Sequence, residues 1–562
     1  MLDAQRMTTE NKKSTRDLAL FVLLWVPYAL LVWRFWFICD DAYISFRYAR
    51  NWAEGHGLRY NLGAHVPVEG YSNFLWVAIC TLIRLLNAEV TLWAPVLSFA
   101  CGTVLLFLVF HTLRRRFEMQ VWVAAAGALF LGCSPAYTCW STSGLETMPF
   151  ALLLFMTFER LVLRKNGPQP LAAGLAGLAL ALMRVEGVYW AILVIPLAVF
   201  AHRSSSPREW RPMIIYAALV GIGYAVYFAV RYSYYQLPFS NSTYVKMGLS
   251  GHTLGRGFDY LAVQFLAMLT PFLMFPGAVV ALRRGRRSVG IPIVVVTFGM
   301  VAFTAVASGD FMAFGRLLVP GLAFNAILFA WLLQDLGGAA KGMRFAAGAI
   351  GLGIVAIGVL PAGEINVVPR SVRASFHFRL NSGDLFRSEL EQWRFEKDNA
   401  REWGEIGRAL ADYADPGEAL VAGAIGAIGY YSNLFIYDGF GLVTRKVSAR
   451  DVTGPIVKSP GHDKAVPPTF FLEDRPIYLS VSMVAADSPA QAAEEIRIRA
   501  AGFRRGGPHR QYVPDYLPLG DGATDERIRY VFILKRIPDG VDPDDAWGEF
   551  AARLRRFAAD PE

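Results

Sequence analysis

Two carboxylates stand side by side at Asp40-Asp41, in the stretch 39–76 that directly follows the first long apolar run. A carboxylate pair where a membrane gives way to water is costly unless it is solvated or paired, so its presence marks a candidate functional site. A carboxylate there can take a proton from a hydroxyl or ligate a cation. An aspartate before a helix is also an ordinary N-cap, but one residue suffices for that, which leaves the other for chemistry. In the YISFRYARNWAEG that follows, Tyr43, Phe46, Arg47 and Arg50 fall on one helical face at three- and four-residue spacings. Arg47 and Arg50 then either pair with the carboxylates or hold a phosphate.

Further candidates lie where other apolar runs end. Glu146, in SGLET, contacts substrate or caps a helix. Arg184 and Glu186, in RVEG, face the same site or neutralise each other. PFSNSTYVK places Tyr244 and Lys246 near the surface, with Lys246 either a point charge for a phosphate or a snorkelling side chain. Asp310 and Arg316 bracket a short loop in SGDFMAFGR and face a shared cavity or each other. Cations that hold a phosphate leaving group, beside a carboxylate that deprotonates a hydroxyl, fit transfer of a group from a lipid-linked phosphate. No extended nucleotide-binding glycine motif is apparent, which disfavours a nucleotide-sugar donor.

The elements that must position these residues are membrane helices. The 562 residues are 54% apolar and only 18% charged, where a soluble domain carries about a quarter charged residues. The apolar residues cluster in runs of bilayer-spanning length. The formal charge of +9 comes largely from clusters between those runs, so it reads as topology signal and not as nucleic-acid binding. Residues 74–87 are short and contain Arg84, and are expected as a helix along the outer surface. The expected spans are then 18–38, 90–112, 121–136, 146–163, 169–184, 188–202, 212–230, 260–282, 289–307, 316–334 and 345–362. That is about eleven spans, with the N-terminus inside, the C-terminus outside, and every basic cluster, including Lys165 and Arg284, on one side. The first run is aromatic-rich and lacks a small-residue cleavage site, so it is expected as a span and not as a cleavable signal. The five cysteines show no metal-ligand spacing. Most behave as small hydrophobes; Cys39 and Cys139, both near the outer face, leave a disulfide open as the minority alternative.

From about 363 the apolar runs shorten and charge rises. Helical spacing over 400–413, 489–503 and 545–558, and strand patterns over 419–437 (around a glycine turn), 476–483 and 528–537, predict a small α/β domain outside the membrane. The expected division is a cytoplasmic 1–17, a transmembrane domain 18–362 with outer loop 39–89, and an extracytoplasmic domain 363–562. In the last part Tyr430-Tyr431, Asp438-Gly439 and Gly461-His462-Asp463-Lys464 are candidates to contact an acceptor glycan. A lone histidine is more often structural, so His462 is not counted as a site residue.

The pattern DDAYISFRYARN…GHGLRYNLG…VEGYSNF, with SGLET, PFSNSTYVK and GDFMAFGRLLVP, resembles the membrane-embedded GT-C glycosyltransferases. Within them it is similar to the branch containing the terminal arabinofuranosyltransferase of actinobacterial cell walls. The resemblance covers roughly residues 18–360. It implies a polyprenyl-phosphate-sugar donor, a glycan or lipid acceptor, inversion in a single displacement, and a bacterial inner membrane with the site on its outer face. The base by position is Asp40, with Asp41 second, and Glu69 of VEGYSNF joins the substrate-binding candidates. Some GT-C enzymes use a divalent cation and others do not, so a metal stays open. The competing readings are a transporter or flippase of lipid-linked sugars, which would place charges mid-membrane and often show repeats, and a glycan-binding scaffold, which would leave the aspartate pair only a cap.

Overall fold

The structure is a computed structural model that describes residues 2–164, 166–203, 207–246, 248, 250–283, 285–338, 341–376, 387–451, 460–504, 508–519 and 528–559. Lys165 and Arg284 of the expected basic clusters lie outside the described residues.

Among the described residues six helices are long and apolar enough to cross a bilayer: Thr15–Arg34, Val90–Arg116, Glu209–Tyr235, Arg287–Val306, Ala313–Leu336 and Gly342–Gly363. Shorter apolar helices at Val121–Gly132, Pro170–Met183 and Gly187–His202 stand with them, as does Thr147–Phe158. Such an array belongs to a multi-pass membrane protein. Its centre is Ala313–Leu336, 83% buried over its apolar window, whereas Glu209–Tyr235 buries only 17% and presents Ile214, Ile222 and Val226 outward. An apolar surface of that kind is stable only against lipid or another apolar face.

One expected span is not straight. Residues 260–282 belong to two helices, Gly251–Met268 and Thr270–Ala281, which meet at 94°. The break sits at Leu269, with φ +57°, just before Pro271. Proline cannot donate the hydrogen bond that would continue the helix.

Beyond the apolar helices a five-stranded mixed sheet forms from β1 (Ala419–Ala422), β2 (Phe435–Asp438), β3 (Tyr478–Ala486), β4 (Tyr512–Leu519) and β5 (Ile528–Arg536), in the order β2-β1-β3-β5-β4. The strand patterns at 476–483 and 528–537 fall on β3 and β5. Residues 419–437 are not two strands around a glycine turn. A short helix, Gly426–Ser432, joins β1 to β2, and the two strands run parallel. Parallel neighbours need such a crossover, and a tight turn cannot supply one. Helices Pro489–Arg504 and Pro543–Ala559 cover one face of the sheet, through Ile496, Ala500, Phe550 and Leu554 packed against Leu479, Phe532 and Leu534. On the other face a long helix, Glu389–Tyr413, contributes Ile406 and Leu410. That second core also takes in Ile44, Tyr48, Tyr60, Tyr71 and Val77. The first loop and the sheet therefore share one interior.

The first loop itself forms a helix, Asp40–Ala53, an irregular turn, and a second helix, Phe74–Leu85. Cys39 and Cys139 are both buried and free, so the alternative of a disulfide between them is not realised.

Candidate functional site

The two aspartates occupy the first turn of the loop helix but do different things. Asp40 caps a helix, though not its own. Its carboxylate accepts the N–H of Ala427 at 2.7 Å and of Gly426 at 3.1 Å, at the start of the short helix Gly426–Ser432. The approach is close enough that a Cβ on Gly426 would lie 2.0 Å from the Asp40 carbonyl oxygen. Burial pushes the Asp40 carboxyl up to about 7, against the lowering pull of those two N–H groups. Asp41 accepts no hydrogen bond from the described residues and lines a cavity of about 620 Å³. Burial raises its pKa, with Arg316 the main opposing charge and Asp310, Glu146 and Lys246 also near.

Arg47 and Arg50 hold the same short helix. Arg47 is 1% exposed, donates to the carbonyls of Gly429 at 2.8 Å and Leu434 at 2.7 Å, and lies 4.1 Å over the Tyr60 ring. Arg50 donates to the Tyr430 carbonyl at 2.8 Å and to Asn433 Oδ1 at 3.0 Å. Neither lines the cavity. In place of the expected phosphate or carboxylate partner, both arginines clamp the first loop to the C-terminal region, chiefly through backbone carbonyls at the end of the short helix, while Arg47 Nε is buried without a hydrogen bond. Glu69 is likewise spent: its carboxylate takes Arg231 Nε at 3.0 Å and a second bond from the same guanidinium. Buried at 4% exposure, it fastens the loop to the end of Glu209–Tyr235. Tyr244 packs edge-on to Phe239 and does not line the cavity.

The other candidates do converge. Glu146, Arg184, Lys246, Asp310 and Arg316 all line the cavity with Asp41. Glu146 is buried and accepts Asn73 Nδ2 at 2.6 Å and a short bond from Arg184. Arg184 also bonds Glu186. The RVEG corner that presents this pair needs its glycine, since a Cβ on Gly187 would fall 1.9 Å from the Leu180 carbonyl oxygen. Arg316 Nε donates to Asp310 Oδ2 at 2.8 Å, so this pair meets both expectations, facing each other and the cavity. Lys246 has Glu186, Arg184, Asp310 and Arg316 as its charged neighbours.

The segment carrying Asp310 and Arg316 is unusual backbone. Ser308, Gly309, Phe314 and Gly315 all have positive φ. Its amides are held by carboxylates of the long helix: Ala313 N–H donates to Glu396 at 2.9 Å and Phe314 N–H to Glu389 at 2.5 Å. That helix supplies the facing wall of the cavity, with Gln392, Phe395, Asn399 and Trp403. Sequence reasoning passed over this wall, yet positions 392, 395, 399 and 403 recur at the spacing of one helical face. It also passed over Asn73, a neutral residue without a charge signal, and Arg256, whose guanidinium grips Asp463 at 2.8 and 3.1 Å. His462 does line the cavity, flanked by the rings of Phe311 and Phe440. Of the other glycan candidates, Tyr430 and Tyr431 pack against Tyr43, and Asp438 accepts the N–H groups of Phe440 and Val443 in its own turn. Among the described residues no three His, Cys, Asp or Glu side chains cluster to hold a metal ion.

Residues 388–536 match the family described as a domain of unknown function (DUF8728). No curated protein matches the sequence. Among solved structures the chain is similar to ArnT from Cupriavidus metallidurans bound to undecaprenyl phosphate, at TM-score 0.53 and 14% identity over 92% of this chain and 97% of that one. It is similar to apo ArnT from the same organism at TM-score 0.50 and 12% identity, covering 93% and 98%. A likeness to the Archaeoglobus fulgidus oligosaccharyltransferase in complex with Zn and sulfate has TM-score 0.49 and 12% identity, covering 92% of this chain and 74% of that one. At these identities the likeness to ArnT is one of fold, over nearly the whole length of both chains, and it agrees with the GT-C architecture that the first-loop motif implies.

Proposed function

We propose that this chain is an inverting glycosyltransferase. It takes a sugar from a polyprenyl-phosphate donor and places it on a hydroxyl of a cell-envelope glycan or lipid, at the outer face of a bacterial inner membrane. The observation that carries this reading is Asp41: a carboxylate left without a protein donor, facing a cavity that also holds Lys246, Arg184 and Arg316. The fold likeness to an ArnT structure bound to undecaprenyl phosphate supports a donor of that class.

In this reading Asp41 takes the proton of the acceptor hydroxyl. The acceptor oxygen bonds to the anomeric carbon as the bond from that carbon to the phosphate oxygen breaks on the opposite face. Polyprenyl phosphate leaves with the bonding electrons, and Arg316 and Lys246 steady its charge. Asp40 is then a positioning residue that fixes the loop helix against the short helix. This departs from the sequence-based preference for Asp40 as the base, and the reason is that its oxygens are already engaged. About eleven spans with the N-terminus inside, residues 18–362 in the membrane, and 363–562 outside complete the proposal. No motif specifies the sugar; the resemblance to the arabinofuranosyltransferase branch makes arabinofuranose the first one to test. The test supplies purified protein with a panel of polyprenyl-phosphate sugars and follows which is consumed. Consumption of none, by protein shown to be folded, would overturn the reading.

A further inference from the structure

The cavity has two chemically different ends. One is charged and comes from the first loop and the ends of the apolar helices. The other comes from residues inside the domain of unknown function. We propose that this second wall recognises the acceptor as a carbohydrate, with Asn399, Gln392 and Trp403 as its specificity-determining residues; the inference rests on the transferase reading above.

Three observations support it. First, the wall is a single face of Glu389–Tyr413, since 392, 395, 399 and 403 are spaced to stack along one side of a helix. Second, its polar groups are idle. Gln392 gives its Nε2 to Glu396 at 3.0 Å, but its Oε1 is buried without a partner. The Asn399 amide and the Trp403 indole N–H make no hydrogen bond among the described residues, and both line the cavity. A buried amide oxygen without a donor is costly and waits for one. Third, the chemistry is that of a sugar site. Amides both donate and accept, as neighbouring hydroxyls demand. An indole offers a flat apolar face to ring C–H groups and an N–H to a hydroxyl. A lipid chain would leave the amides unsatisfied. The stripe residues themselves carry no cation; the neighbouring Arg387, which also lines the cavity, lies 3.8 Å over the Phe395 ring. The wall also keeps register with the charged end, because Glu389 and Glu396 of the same helix hold the backbone that carries Asp310 and Arg316.

The test uses the full chain in lipid nanodiscs. Water-soluble trisaccharides of arabinofuranose, mannose and glucose are titrated by saturation-transfer NMR, with glycerol as the non-sugar control. Decaprenyl phosphate is titrated separately. At least one trisaccharide binds the wild type and glycerol does not. Asn399→Ala weakens that trisaccharide about tenfold, the loss of roughly one good hydrogen bond, and Trp403→Ala weakens it about tenfold, chiefly through loss of the ring face. Trp403→Phe, which keeps a ring face, stays within about threefold. Decaprenyl phosphate binds all variants as it binds the wild type. The inference is overturned if no trisaccharide binds, if Asn399→Ala binds it like the wild type, or if the variants lose decaprenyl phosphate to the same degree. Decaprenyl phosphate failing to bind the wild type counts against the transferase reading, while the trisaccharide titration still decides the wall. Asn399 lies on the cavity surface and its truncation leaves the packed side of the helix untouched, so the test does not depend on the tryptophan variant folding.

Discussion

Truncating Arg47 separates a clamp from a phosphate ligand. The guanidinium is buried and bonds the carbonyls of Gly429 and Leu434, which lie 382 and 387 residues away in sequence. A hydrogen bond from a charged donor contributes about 1.5–3 kcal/mol, and a desolvated cation over a ring adds about 2 kcal/mol. Arg47→Ala removes all three contacts and takes the side-chain donor from the Leu434 carbonyl, while the Gly429 carbonyl keeps the Asn433 N–H at 3.3 Å. Allowing for partial relaxation, the docking of the short helix should weaken by about 4 kcal/mol. That corresponds to roughly a thousandfold faster hydrogen exchange of the amides in Gly426–Ser432, if they exchange by local opening. Arg47→Lys, a point charge that cannot bridge two divergent carbonyls, should fall between. The assay is hydrogen exchange read by mass spectrometry on detergent-solubilised protein, with donor KM measured in parallel. Unchanged exchange together with a raised donor KM would refute the clamp and restore the phosphate role.

Other outcomes follow from the same geometry. Activity plotted against pH should rise along a limb set by Asp41; because burial raises its pKa, that limb lies above the ordinary aspartate value of about 4. Arg316→Met removes the main lowering charge, so the limb in kcat/KM should move further up in pH; a downward move would contradict the pairing. For Asp40, whose folded pKa of about 7 exceeds the unfolded one, the folded state holds the proton more tightly. Stability should therefore fall as pH rises from about 4 through about 7, and Asp40→Asn should flatten that slope in thermal scans. Gly426→Ala places a methyl against the Asp40 carbonyl and should lower thermal stability by about 1–3 kcal/mol, whereas Gly417→Ala tests only backbone strain at a site with no close neighbour.

Much of this was legible locally. Apolar runs of bilayer length became helices because only a helix satisfies its backbone within one segment in lipid. The convergence of Glu146, Arg184, Lys246, Asp310 and Arg316 followed from charges placed where those runs end. What escaped depends on partners distant in sequence. Arg47, Arg50 and Glu69 have the residue types of ligands, but their targets lie on the short helix and on the helix Glu209–Tyr235, and no local pattern shows that. Gly426 and Gly429, three apart, were a readable sign that something packs closely there: a Cβ on Gly429 would lie 2.0 Å from the Tyr60 hydroxyl. The strand β4 was missed because Pro514 and Pro518 argue against a strand, and its position at the edge of the sheet is what tolerates them. The bend at Leu269 was hidden inside a continuous apolar run.

The most direct measurement is the rate of sugar transfer from the preferred polyprenyl-phosphate donor by Asp41→Asn, set beside Asp40→Asn at equal amounts of folded protein. Loss of a general base predicts a fall of about 10²–10⁴-fold for Asp41→Asn with donor KM little changed, and a much smaller fall for Asp40→Asn. Transfer by Asp41→Asn at the wild-type rate would contradict the account.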